Sequence, residues 1–213
     1  MLEFKKALKT WIKVAMALIL MTGIVLSLTF CTVKTPFDVE GKKQDFFALE
    51  LSELETYITV GAYKGLNITR GEKTKDEAVW GAIVSSSKVQ KYPEEHVYYY
   101  VDQFRGQYRY YAEQAGMSYE DMLAALGSSE ADILERSKEM TKKDILIAII
   151  AKRENIVVTD EEKSNFFDKY VNKYVNEYGY NVEYVTENMA EQIYSSMLYD
   201  KITEFLILNN NLL

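Results

Sequence analysis

The sequence is poor in residues that break helices and in those that carry most enzyme chemistry. Its 213 residues include two prolines, one cysteine and one histidine. Little proline favours long helices, because proline interrupts the backbone hydrogen bonds of a helix. A single cysteine excludes an intramolecular disulfide. One cysteine with one histidine is also too few for a zinc site or a cysteine–histidine catalytic pair.

Catalytic and nucleotide-binding motifs are absent as well. The sequence contains no G-x-x-x-x-G-K, G-x-S-x-G or H-E-x-x-H motif and no EF-hand loop. His96 follows Glu94 and Glu95 near the start of a predicted helix, so we expect a solvent-exposed residue rather than a general base. The formal net charge of −7 argues against nucleic acid as the main partner. We expect no catalytic residue and no bound cofactor or metal.

The first 33 residues differ from the rest. Residues 1–13 contain four lysines and one acid, and residues 14–33 contain no charged side chain. A helix of that length spans about 30 Å, the hydrocarbon core of a bilayer. Positively charged flanks stay on the cytoplasmic side. We therefore predict an uncleaved signal anchor at residues 1–33, with residues 34–213 extracytoplasmic and carrying a net charge of about −10.

Cys31 leaves an alternative open. The sequence "LTFC", residues 28–31, resembles a bacterial lipobox, in which the cysteine is lipidated after signal cleavage. Leu28 and Thr29 suit that pattern, but Phe30 does not, because the residue before the cysteine is normally small. The apolar run is also longer than the usual 7–15 residues of a signal peptide. Either interpretation places the protein at a membrane.

The exported part predicts a mainly all-α fold. Residues 34–45 are typical of a polar tether. Residues 46–92 indicate a linker and a first helical arm, with a short extended segment near residues 57–68. Residues 93–213 predict a domain of helices joined by short loops.

Local signals place several helix ends. Thr74 with Glu77, and Thr159 with Glu162, each match a capping box at a helix start. Residues 145–151 are apolar on every side, so other elements must surround that part of a long helix. A final helix is predicted to begin near Thr186.

Four phrases in order resemble the C-terminal module of trigger factor, a bacterial folding chaperone related to SurA-like foldases. They are "YITVGAYKGLNI", "YPEEHVYYYVDQFRGQYRYYAEQAGMSYEDML", "MTKKDILIAII" and "AIIAKRENIVVTDEE". With the helices that follow, the resemblance covers residues 57–208. The resemblance implies a multi-helix chaperone module. Only 24 residues, 69–92, stand where this family usually inserts an FKBP-type prolyl isomerase domain, and a membrane segment replaces the ribosome-binding domain. Both domains are therefore expected to be missing.

The expected function is a membrane-anchored, extracytoplasmic chaperone that binds non-native exported polypeptides. Exposed aromatic side chains would hold the clients by apolar contact. The candidate client-binding residues are Tyr98, Tyr99, Tyr110, Phe166, Tyr170, Tyr174 and Tyr178. The alternatives are a prolyl isomerase-type foldase and a structural subunit of a membrane protein complex. The sequence indicates neither the clients nor the oligomeric state.

Overall fold

The computed structural model describes residues 41–213, apart from the side chains of Phe166, Tyr170, Lys173, Tyr178, Asn188, Glu191 and Gln192. The anchor predicted at residues 1–33, with Cys31, lies outside this range, as does most of the predicted tether. Among the helices of residues 41–213, none is both long enough and apolar enough to cross a membrane.

The described residues are mainly helical, as the sequence predicts. The helices are α1 (Leu51–Leu54), α2 (Lys75–Ser86), α3 (Glu94–Gln114), α4 (Tyr119–Leu126), α5 (Glu130–Glu154), α6 (Asp160–Tyr178), α7 (Val182–Asn188) and α8 (Ala190–Leu208). The strands are β1 (Ile58–Thr59), β2 (Asn67–Ile68), β3 (Lys88–Val89) and β4 (Asn211–Leu212).

The strands form two small pairs. Strand β1 pairs antiparallel with β3, with Ile58 opposite Val89. Strand β2 pairs in parallel with β4, with Asn67 opposite Asn211. Strands β1 and β2 lie within the segment that the sequence predicts to be extended.

The two predicted capping boxes are confirmed. In each, the threonine side chain accepts from the backbone N–H of the glutamate, and the glutamate side chain accepts from the backbone N–H of the threonine. Thr74 and Glu77 start α2 in this way, and Thr159 and Glu162 start α6. A cap of this kind is worth about 1 kcal/mol, because it pairs backbone donors that the helix leaves unbonded.

The predicted start of the last helix is wrong. Instead of one helix from near Thr186, the structure has α7 and α8, separated at Met189 (φ −114°, ψ −8°). Asn181 starts α7, because its side-chain oxygen accepts from the N–H of Glu183 at 2.7 Å. The hydroxyl of Thr186 lies inside α7 and donates to the carbonyl of Val182 at 3.0 Å.

The chain divides into two compact units, neither continuous in sequence. The described part of unit 1 comprises residues 41–43 and Glu94–Lys138, and unit 2 comprises Gln44–Pro93 and Glu139–Leu213. Helix α5 begins in one unit and ends in the other. The residues grouped by sequence into a single helical domain, 93–213, are thus shared between both units.

The core of unit 2 surrounds the second half of α5, as the sequence predicts. Ile145, Leu146 and Ile149 are at most 1% exposed. Helices α2 and α8 cover them with apolar side chains, including those of Ile83 and Leu206. Residues 145–151 can be apolar on every side because neighbouring elements of unit 2 cover them.

Candidate functional site

Helix α3 carries three of the seven residues predicted to bind clients, and a small core in unit 1 fixes its orientation. The buried residues of that core are Val101, Tyr108, Leu123 and Ile133. The hydroxyl of Tyr108 accepts a hydrogen bond from Nη1 of Arg136 at 2.9 Å. The side of α3 marked by Tyr108 therefore faces inward, and the opposite side includes the exposed Gln103 and Tyr110.

Hydrogen bonds support this small core. Nε of the buried Arg105 donates to Oε2 of Glu130 at 2.8 Å, and the hydroxyl of Tyr119 donates to Oε1 at 2.6 Å. Partial burial raises the pKa of Glu130, but the hydrogen bonds from Arg105 and Tyr119 and the charges of Arg105 and Arg109 outweigh burial and lower it overall. The pKa of Tyr119 is raised, first by burial and then by its hydrogen bond to Glu130. At neutral pH, Tyr119 is thus a proton donor to a carboxylate.

An uncharged aromatic stripe runs along the outer side of α3. It consists of Tyr99, Gln103, Gly106 and Tyr110, and we call it the tyrosine stripe. Residues eleven apart on a helix point within about 20° of each other and lie about 16 Å apart along the axis. Tyr99 is half-buried, and Tyr110 is 38% exposed. Aromatic rings thus flank a short polar stretch that carries no charge.

The three predicted residues of α3 differ in access. Tyr110 lies on the stripe beside the ring of Tyr111, with centroids 5.7 Å apart. The ring of Tyr99 lies 5.3 Å from that of Tyr100. Tyr98 points about 100° away from the stripe and packs against the core of unit 1. The structure therefore brings Tyr99 and Tyr110 onto one face and leaves Tyr98 off it.

Tyr174 of α6 was predicted to bind clients, but its side chain is buried. It is only 8% exposed and packs with Val185, Met189 and Ile193. The expected exposure is wrong because α7 and α8 cover this side of α6. Phe166, Tyr170 and Tyr178 also belong to α6, but their side chains lie outside the described part.

Several exposed apolar side chains of unit 2 were not predicted. Phe47 is 44% exposed, Val157 is 64% exposed and Leu208 is 76% exposed. The sequence does contain one indication that Phe47 and Leu208 are exposed. The runs "FF" and "FLIL" place adjacent apolar residues where a single helical face or strand face can bury only some of them.

The link between α5 and α6 is fixed by a lysine from α8. Asn155 has a positive φ of 51°, as expected for the residue that ends α5. Nζ of Lys201 donates to the carbonyl of Val157 at 2.7 Å and to Oε1 of Glu162 at 2.7 Å. The hydrogen bonds from Lys201 and then from the Thr159 backbone lower the pKa of Glu162 to about 2. One carboxylate thus caps α6 and anchors Lys201.

The prediction that His96 is solvent-exposed is wrong. His96 is 1% exposed, and its ring lies 5.3 Å from that of Tyr100 and 5.8 Å from that of Tyr99. Side chains three and four positions onward on a helix lie beside it, and the chain at Lys42 packs against the same turn. Within residues 41–213, no group of histidine, cysteine or acidic side chains is arranged to hold a metal ion.

Comparison with known proteins identifies the family to which these helices belong. Residues 67–208 match the family model described as the bacterial trigger factor protein C-terminus. The chain belongs to this family. It is 26% identical over 177 residues to trigger factor of Caldicellulosiruptor saccharolyticus and 24% identical to trigger factor of Caldicellulosiruptor bescii. No solved structure matches the chain.

The trigger factor match covers most of this chain but less than half of each relative. Each alignment includes 78% of this chain and 40% of the relative. Residues 69–92, where the isomerase insertion of trigger factors was expected to be missing, form α2 and β3. Val79, Trp80 and Ile83 of α2 are buried in the core of unit 2. This stretch is therefore part of the trigger factor C-terminal module itself.

Proposed function

We propose that this chain is a membrane-anchored, extracytoplasmic chaperone that binds non-native exported polypeptides and assists their folding without catalysis. Membership of the trigger factor C-terminus family supports the chaperone role. The observation that carries the proposal within the molecule is the tyrosine stripe, an uncharged aromatic surface on a helix held by its own core. The uncharged span of residues 14–33 with its lysine-rich flank supports the anchor.

The stripe suits short extended segments. A spacing of about 16 Å between Tyr99 and Tyr110 matches about five residues of extended chain. Covering the accessible parts of two tyrosine rings, on the order of 100 Å², contributes about 2.5 kcal/mol. Such binding is weak and reversible, as a chaperone requires, and it depends on apolar area more than on sequence. Tyrosine supplies that area at a small cost in side-chain entropy.

Suppression of aggregation tests the chaperone role. The full chain in nanodiscs is mixed with reduced α-lactalbumin, and light scattering is compared with that in empty nanodiscs. We expect the wild type to reduce scattering and the double variant Tyr99→Gln with Tyr110→Gln to lose at least half of that effect. The matched control is Val182→Gln, which removes an exposed apolar side chain of unit 2. Wild-type protein without any effect would refute the chaperone role, and a fully active double variant would exclude the stripe.

Two further measurements test the rest of the proposal. A prolyl isomerisation assay should show no rate above background, and clear catalysis would contradict a non-enzymatic role. External protease added to spheroplasts should degrade residues 34–213, whereas protection would contradict extracytoplasmic exposure. The mass of the mature protein distinguishes an uncleaved anchor from a lipid on Cys31.

A further inference from the structure

Residues 41–43 pack against the first two turns of α3, and we call this segment the strap. The backbone N–H of Lys42 donates to the carbonyl of Glu95 at 2.9 Å. A Cβ atom at Gly41 would lie 2.4 Å from the nitrogen of Tyr99 and 2.5 Å from the carbonyl carbon of Tyr98. Since both are atoms of the helix backbone, no side chain can move to make room. Only glycine permits the strap to lie this close to α3.

The strap limits how far one end of α3 can lie from the predicted anchor. Eight residues, 34–41, lie between Lys42 and Val33, the last residue of the uncharged run, so nine Cα-to-Cα steps join the two. Fully extended, they reach at most about 32 Å. Helix α3 itself is about 30 Å long. Its far end at Gln114 can therefore lie about twice as far from Val33 as the end that contacts the strap. The strap therefore restrains the two ends of the helix unequally.

We infer, on the basis of the membrane anchoring proposed above, that the strap orients unit 1 with the N-terminal end of α3 toward the lipid surface and its C-terminal end away from it. Exposed Lys42 and Lys43 offset the charges of exposed Glu94 and Glu95 at this end, which removes repulsion from anionic headgroups. The tyrosine stripe then runs outward from Tyr99, near the membrane, to Tyr110. A polypeptide that emerges at the membrane meets the stripe at Tyr99 first.

Energy transfer to lipid tests this orientation in the full chain, with Cys31 unchanged. An azide-bearing residue introduced at Glu94 or at Gln114 is labelled with a donor dye, and the vesicles contain a headgroup-labelled acceptor lipid. We expect about twofold higher transfer from position 94 than from position 114, because the two lie about 30 Å apart along the helix. The variant Gly41→Val should remove most of this difference. Gly81→Ala is the matched control, because a Cβ there meets no atom within 4 Å.

Amide hydrogen exchange at Lys42 gives a second readout that does not require vesicles. In detergent-solubilised full chain it should be slow in the wild type and in Gly81→Ala and at least tenfold faster in Gly41→Val.

The outcomes separate the inference from the proposal on which it rests. A chain that does not float with vesicles refutes the anchor, and the orientation with it. Flotation with equal transfer from both positions refutes the orientation alone. A transfer difference that survives in Gly41→Val while exchange at Lys42 becomes fast shows that the strap is not the cause of the orientation. Slow exchange at Lys42 in that variant contradicts the requirement for glycine at position 41.

Discussion

The two units of this protein are each stabilised by a different kind of interaction. In unit 2, sixteen buried apolar residues of the described chain form one cluster around α5. In unit 1, the corresponding cluster has four, supported by the hydrogen bonds of Arg105, Glu130 and Tyr119. Burial of apolar area dominates folding energy, so unit 2 has the larger source of stability. Unit 1, which carries the tyrosine stripe, depends more on polar contacts and should open more easily.

The largest expected effect comes from a cavity in unit 2. Leu146→Ala removes a fully buried side chain and should cost about 2–5 kcal/mol of unfolding free energy. Denaturant titration followed by far-UV circular dichroism measures this loss. Leu208→Ala, at a position that is 76% exposed, is the matched control and should change the free energy by less than about 0.5 kcal/mol. Equal effects of the two variants would contradict the assigned core.

A smaller effect is expected in unit 1 from Arg105→Met. This change keeps the apolar length of the side chain but removes the hydrogen bonds to Glu130. Because the side chain of Glu130 is 47% exposed, solvent screens the pair, and we expect a loss of about 1–2 kcal/mol of unfolding free energy. Hydrogen exchange should accelerate at amides of α3 and α4, whereas the half of α5 in unit 2 keeps its protection. Acceleration throughout residues 139–213 would show that the two units do not respond separately.

The dependence of unit 1 on pH sharpens the same contrast. Since folding lowers the pKa of Glu130, its contribution is fully present above the unfolded pKa and is lost as pH falls through the lower, folded value. Exchange protection of α3 should therefore decrease below about pH 4. Glu130→Gln should show weaker protection at neutral pH and less change on acidification. An identical acid response in wild type and variant would assign the effect to other carboxylates.

The smallest predicted effect is a gain in unit 2. Gly81→Ala lies within α2, and a Cβ there meets no atom within 4 Å. Alanine is more favourable than glycine inside a helix by about 0.5–1 kcal/mol, so the variant should raise the unfolding temperature by a few degrees. A lower unfolding temperature would mean that α2 needs glycine there for a reason other than space.

The sequence predicts those parts of the fold that local chemistry determines. Thr159 and Glu162 lie three residues apart, and their reciprocal hydrogen bonds need no other part of the chain. The sequence does not reveal that His96 and Tyr174 are buried, because their burial depends on packing with other parts of the chain. The turn of α3 that contains His96 is also contacted by Lys42, more than fifty residues earlier, and Tyr174 is covered by Val185, Met189 and Ile193. For the site, helical spacing relates Tyr99 to Tyr110, but it does not show which side of α3 the core occupies.

Strand β4 has a consequence for the order in which the protein folds during synthesis. Asn211 and Leu212 pair with Asn67 and Ile68, and the side chain of Asn210 accepts from the N–H of Leu66 at 2.8 Å and donates to the carbonyl of Tyr63 at 3.0 Å. These contacts close a loop of more than 140 residues, which is slow to form. They cannot form until the ribosome has added residue 212. Unit 2 therefore completes its folding only after all of unit 1 has been synthesised.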